Sequence, residues 1–488
     1  MIELRDSLFS VCLACASAAM IEVGRYDLFE ITFDGPDDPA AVIEGTFQHI
    51  GSGALLRSPA FWDGDRAWRC RFAPIELGEW AYSVAGKRGT IKCVQGNNPG
   101  FVHVVGRHFQ FDSGEYLFVA GNTHYDLMRC SEPVIQDTIN WNRAYFSKIR
   151  LATVTQRYHG EVSAFEPGDD ESGYDFNRPV PSYWQKLDRT VAAMQAAGIQ
   201  ADLILAGPDI TYQQLKNDFY KRYIVARYAA FSNVWFCLGN EIHSKGHYTP
   251  DEVGKAGEFI RELDPYRHPL SVHEQSEWYY RGQTWPTHVI FQKKNSNIAV
   301  QRALTMSVWD ECKPVVNDEP AYQGEIADGG TIQAWWGIVM GGGYASTSQK
   351  TGHKKGPYFP DEDRPPDAWA NPKSPHGWYI REQSKILLNF MSRCEWWKME
   401  TMMDHGRGIF ERSEPGRQYL FLLPPGESIT VTLPAGDDLP VAFYEIHSRD
   451  VETAIQYAPS TRGAEQLTLT AGDSDTRVYL IGGCASGE

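Results

Sequence analysis

The chain has 488 residues, a length that allows roughly three domains at about 150 residues each. Hydrophobic residues make up 42% and charged residues 22%, a globular composition that excludes wholesale disorder. With 46 Lys and Arg against 62 Asp and Glu, the net charge is −16, which argues against a nucleic-acid partner and against docking on an anionic membrane.

Leu8 to Ala19 is a short apolar run ending in small residues. Such a run can act as a secretion signal. Glu3, Arg5 and Asp6 before it supply no clear positive charge. Residues 1–20 therefore read as a leader or strand, with a secreted or periplasmic protein as the alternative. No other run approaches the roughly 18 apolar residues of a membrane helix. The nine cysteines are scattered, and the Cys12–Cys15 pair has no second pair and no nearby His ligands. They read as reduced thiols, which points to the cytoplasm.

From about 21 to 107 the pattern is that of short strands. Tyr26 to Phe33, Ala67 to Phe72 and Glu79 to Val84 alternate polar and apolar side chains between Gly, Pro and Asp turns. That spacing predicts a small antiparallel sandwich over 1–107, leader included. From 108 the rhythm changes. Tyr116–Ala120, Leu151–Arg157, Ala201–Ala206, Asn233–Leu238, Leu270–His273, His288–Gln292 and Pro314–Asn317 read as strands. Helical segments lie between them, and Ala334–Met340 and Gly377–Met391 close the series. This alternation predicts a closed (β/α)8 TIM barrel, an α/β fold, over 108–395. Gln418–Leu422, Ser428–Leu433 and Arg477–Ile481 then predict a C-terminal β-sandwich over 396–488.

Catalytic groups of such barrels sit where strands end, at the C-terminal face. Two of these ends carry a Glu. Val234-Trp-Phe-Cys-Leu-Gly-Asn-Glu241 closes the fourth strand and Pro314-Val-Val-Asn-Asp-Glu319 the seventh. Two facing carboxylates are what glycoside hydrolysis needs: one protonates the leaving oxygen, and the other attacks the sugar or activates water. Asp318 is a rival to Glu319, because alternation along a strand lets only one of the two face the mouth. Asn240 is placed to bond a sugar hydroxyl. Asn122, His124, Tyr125, Arg157 and His273 lie near other strand ends and are candidate pocket residues, with packing roles as their alternative. Tyr322 follows Glu319 and could hold its geometry. Of Trp335 and Trp336, the second is the candidate sugar platform.

Other chemistries find less support. His273-Glu274-Gln-Ser-Glu277 begins like a zinc-protease helix but ends in Glu where His is needed. No Gly-x-Ser-x-Gly elbow and no phosphate-cradling glycine loop occurs. No metal and no cofactor is expected.

The Gly-Asn-Glu241 and Pro-Val-Val-Asn-x-Glu319 strand ends together resemble clan A retaining glycoside hydrolases. The whole layout resembles the apiosidase-like barrel family of that clan. Pro59 to Pro74 with Gly78-Glu-Trp80 is similar to the sandwich that precedes such barrels, and Arg107-His-Phe-Gln-Phe-Asp with Gly121-Asn-Thr-His-Tyr125 to their first strand. The C-terminal region resembles the family's collagen-binding-like domain. The resemblance implies a glycosidase acting on a plant- or microbe-derived oligosaccharide or glycoside by double displacement. Glu241 would be the acid/base and Glu319 the nucleophile. The family usually has Gly-Asp-Thr at the first strand, so Asn122 would remove a charge near the sugar. The other class kept open is a carbohydrate-binding protein on a barrel scaffold. Pocket shape, not motif, chooses among pentoses and hexoses, and no motif bears on oligomeric state.

Overall fold

The computed structural model describes residues 20–154, 163–169, 173–207, 214–275, 277–320, 328–348, 375–433, 438–446, 453–462 and 466–483. The N-terminal region is one seven-stranded sheet that folds over on itself. Its bend is the long strand Leu55–Trp62, whose first half pairs with Glu44–His49 and whose last three residues pair with Ala67–Phe72. Alternate residues fill the space between the two faces. Phe47 and Phe72 stack there with ring centroids 4.2 Å apart, beside buried Trp68, Trp80 and Cys70.

Next comes a small three-stranded sheet, Val102–Val105, His108–Phe111 and Tyr116–Leu117. The division expected at 107/108 falls in the turn of its first hairpin. The sheet closes the barrel floor. Phe109 is fully buried against Trp235, His288 and Tyr344, with centroids 4.6, 5.4 and 5.4 Å away. The run Tyr116–Ala120, expected as the first barrel strand, is split between this sheet and the start of the barrel.

Eight parallel strands close the barrel: β1 Ala120–Thr123, β2 Lys148–Ala152, β3 Gln200–Ile204, β4 Val234–Asn240, β5 Leu270–His273, β6 Val289–Phe291, β7 Val315–Asn317 and β8 Tyr344–Ser348. β8 pairs back onto β1. The helices around them are α1 Glu132–Asn142, α2 Pro181–Ala196, α3 Asp218–Tyr228, α4 Pro250–Leu263, α5 Ile298–Met306, α6 Asp328–Met340 and α7 Pro375–Met391. α4 starts on a capping box, with Thr249 and Glu252 each bonding the other's backbone N–H. The second strand begins three residues before the expected Leu151, so Lys148 and Arg150 lie within it.

Beyond α7 a six-stranded antiparallel sheet and a two-stranded one, Ser428–Thr432 with Gln466–Thr470, form the C-terminal region. Arg412 staples it to the barrel. Its buried guanidinium donates to the carbonyls of Val339, Trp396 and Met399. Trp336 belongs to the same seam, packed on Phe390 and Tyr444. Among the described residues no helix is long and apolar enough to cross a membrane. Cys70, Cys93, Cys130, Cys237, Cys312 and Cys394 are free thiols.

The N-terminal sheet joins the barrel through buried charges. Arg71 Nη2 lies 2.6 Å from Asp188 Oδ2, and Arg227 reaches both Asp188 oxygens at 2.8 Å. Burial raises the Asp188 pKa, but Arg71 and Arg227 outweigh it and hold the carboxyl below its usual range. Removing one partner of such a set strands the others without solvent. Asp188→Ala should cost about 3–5 kcal/mol in a urea unfolding experiment; a loss under about 1 kcal/mol would show that the cluster adds little.

Acid should weaken the barrel floor. Burial, and then the nearby Lys148 charge, push His288 down to about 3. An unfolded imidazole titrates near 6.5. Between those two values the unfolded chain binds a proton that the folded chain refuses, so stability falls as pH falls. The slope is about 1.4 kcal/mol per pH unit for this side chain. His288→Gln should flatten the pH dependence of the urea midpoint between about pH 6 and 4; an unchanged slope would contradict the assignment.

Candidate active site

Alternate residues of each strand point into the barrel. On β2 these are Lys148 and Arg150, two positive charges in one strand, both fully buried. Two acids answer them. Lys148 Nζ lies 2.8 Å from Asp202 Oδ2 and 3.1 Å from Asp318 Oδ1. Arg150 Nε lies 3.5 Å from Asp202 Oδ2 and 3.3 Å from Asp318 Oδ2. Ser346 Oγ donates to Asp318 as well. Burial would raise the Asp318 pKa, but Lys148 and then Arg150 overcome it and hold the carboxyl well below its usual range. Asp318 is thereby spent on structure.

The far edge of Arg150 faces the mouth. Nη2 donates to Asn240 Oδ1 at 3.2 Å and to His273 Nδ1 at 2.9 Å, and Nη1 lies 3.9 Å from Glu319 Oε1. His273 is fully buried; desolvation first, and then the Arg150 charge, push its pKa well below the usual value. Its ring is neutral, and an Nδ1 that accepts from Arg150 leaves the proton on Nε2. Tyr125 Oη lies on Glu319 Oε1 and 3.1 Å from Asn240 Oδ1. Its single proton goes to the carboxylate, the stronger acceptor. Glu319 is 1% exposed, and its backbone N–H is held by Asn317 Oδ1 at 3.2 Å.

Asn240 reaches this group because β4 carries one extra residue against β5. The pairs run Cys237 with Ser271, then Asn240 with His273. Such a bulge re-aims the following side chain. Gly239 is needed there, since a Cβ would meet Ile242 Cγ2 at 2.5 Å and the Ala206 carbonyl at 3.0 Å. Glu241 follows in the left-handed region, with φ +57°. Its N–H donates to the His273 carbonyl at 2.5 Å. Its Oε1 accepts from Gln275 Nε2 at 3.4 Å, and its Oε2 lies 2.6 Å from Lys245 Nζ.

The contacts thus join Tyr125, Asn240, His273 and Glu319 around Arg150, with Glu241 bonded to the end of β5. Three expectations need correction. Thr123 and Tyr125 face inward, so Asn122 and His124 face out. Asn122 Nδ2 donates to Asn142 Oδ1 of α1 at 2.9 Å, and His124 Nε2 lies 3.2 Å from Asn142 Nδ2. Asn122 therefore removes no charge from the mouth. Trp336 is 1% exposed under the C-terminal sheet and offers no sugar platform. Arg157 and Tyr322 lie outside the described residues. The sequence reading missed Lys148, Arg150, Asp202, Lys245 and Gln275. For the first three the signal was an alternation of charged and apolar residues in Lys148-Ile-Arg-Leu-Ala152 and Ala201-Asp-Leu-Ile204. Among the described residues no three His, Cys, Asp or Glu side chains gather as a metal-binding group.

Comparisons with known proteins agree with this fold. Residues 104–339 match the model of the apiosidase-like catalytic domain, and residues 22–87 match a domain of unknown function, DUF5060. A search of curated proteins found no match. Among solved structures, a Bacteroides vulgatus ATCC 8482 protein provisionally named a glycoside hydrolase aligns with TM-score 0.79 at 21% identity, covering 95% of this chain and 100% of its own. A glycoside hydrolase family 5 protein from the same organism aligns with TM-score 0.62 at 15% identity, covering 79% of this chain and 94% of its own. At those identities the alignments establish the fold. The segment 104–339 thus matches the apiosidase-like catalytic domain, carries the closed eight-stranded barrel seen in the two aligned structures, and follows a segment that matches DUF5060.

Proposed function

We propose that the chain is a retaining glycoside hydrolase acting on an oligosaccharide or glycoside, with Glu319 as nucleophile and Glu241 as acid/base. The observation that carries this reading is the setting of Glu319. A buried carboxylate at the end of β7 accepts a hydrogen bond from Tyr125 and faces Arg150, while Asn240 and Glu241 end β4 of the same closed barrel.

Glu319 attacks the anomeric carbon while Glu241 gives its proton to the glycosidic oxygen, and the bond to the leaving group breaks. Water then attacks the same carbon. Glu241 takes a proton from it, and the bond to Glu319 breaks, which restores both groups. Two inversions at one carbon leave its configuration unchanged. This course requires carboxyl groups about 5–5.5 Å apart. Tyr125 and Arg150 stabilise the charge that returns to Glu319 as it leaves. Asn240 holds a sugar hydroxyl beside the reacting carbon.

Glu319→Gln should lower kcat/KM on aryl glycosides by about a thousandfold or more, with an unchanged far-UV circular dichroism spectrum. Undiminished turnover would reject Glu319 as nucleophile.

A further inference from the structure

Glu274 is a fully buried carboxyl just beyond β5, outside the group around Arg150. Four donors converge on it. Tyr280 Oη–H donates to Oε1 at 2.8 Å and the His243 N–H to the same oxygen at 3.2 Å. The Ser244 N–H donates to Oε2 at 3.0 Å and Ser244 Oγ–H at 2.5 Å. Among the described residues it has no Lys or Arg partner. A buried carboxyl held only by neutral donors is an expensive way to tie a turn, so its location matters.

Three of those donors belong to residues 243 and 244, in the turn that begins at Glu241. That turn starts from a left-handed non-glycine residue, a conformation that persists only where its surroundings over-determine it. The determinants are consecutive. The His273 carbonyl holds the Glu241 N–H, Glu274 holds His243 and Ser244, and the Gln275 side chain reaches Glu241 Oε1. The Gln275 N–H also donates to Ser244 Oγ at 3.3 Å. Glu274 is itself anchored from behind by Tyr280, which is buried on Trp278 and Trp285. The end of β5 therefore acts as a splint for the end of β4.

We propose that Glu274 is a positioning residue for the acid/base step, fixing where the Glu241 carboxyl meets the leaving oxygen. The inference rests on the reading of Glu241 as proton donor. It differs from a purely structural role in what it predicts. A misplaced acid harms substrates whose leaving group needs a proton and spares those whose leaving group departs as an anion.

The test compares phenyl and 2,4-dinitrophenyl glycosides, drawn from a panel of common pentoses and hexoses, as pairs cleaved by the wild type. Glu241→Ala, Glu274→Gln and Ser244→Ala are measured alongside it. Glu274→Gln should lose about tenfold or more in kcat/KM on the phenyl substrate and less than about threefold on the dinitrophenyl one. Ser244→Ala, which keeps the buried carboxyl and removes one donor, should show a smaller loss with the same selectivity; it carries the test if Glu274→Gln does not fold. Equal losses on both substrates, or none on either, in a folded variant overturn the proposal while Glu241→Ala remains selective. If Glu241→Ala itself loses both substrates equally, the proton-donor reading fails and the proposal falls with it.

Discussion

One guanidinium joins the floor of this barrel to its mouth. Arg150 sits fully buried, with Asp202 and Asp318 on one edge and Asn240, His273 and Glu319 on the other. Burying such a charge costs several kcal/mol unless its partners are well placed. Lys148 with the same two acids makes the set two cations against two anions. Because the lower edge of Arg150 is pinned by that balance, its upper edge is fixed in space, and the residues of the mouth take their positions from it. The order in which charge is satisfied thus explains why Asp318 is tied to Lys148 and Arg150 while its neighbour Glu319 meets Tyr125 and the outer edge of Arg150.

Strand parity and one bulge decide which side chains reach the mouth. On β1 parity sends Thr123 and Tyr125 inward and Asn122 and His124 to α1. On β4 strict parity from Cys237 would turn Asn240 outward, and the bulge reverses this. β7 ends at Asn317, so the alternation that was expected to choose between Asp318 and Glu319 no longer applies beyond it. Both acids turn inward, at different heights.

These details mark what could be read from residues alone. The alternation of strands and helices was legible because apolar runs of strand length recur between amphipathic helices. The strand-end placement of Glu241 and Glu319 was legible because each follows such a run at once. Lys148 and Arg150 were not, since charges within a strand read as surface until their acids, far away in the chain, are placed beside them. The inward or outward sense of a strand-end residue depends on its register, and the register of β1 rests on pairing with β2 and β8. Trp336 was misplaced for a related reason: its burial is supplied by Tyr444 in another region. The flanking sheets contribute walls and ties, through Phe109 on the floor and Arg71 and Arg412 at the sides.

The proposed mechanism depends on a covalent bond from Glu319 to the sugar. Intact-protein mass spectrometry after incubation with a 2-deoxy-2-fluoro glycoside bearing a dinitrophenyl leaving group tests it directly. The account predicts one added glycosyl mass, carried by the peptide containing Glu319. An adduct on another carboxylate, or a first-formed product of inverted configuration by proton NMR, would contradict it.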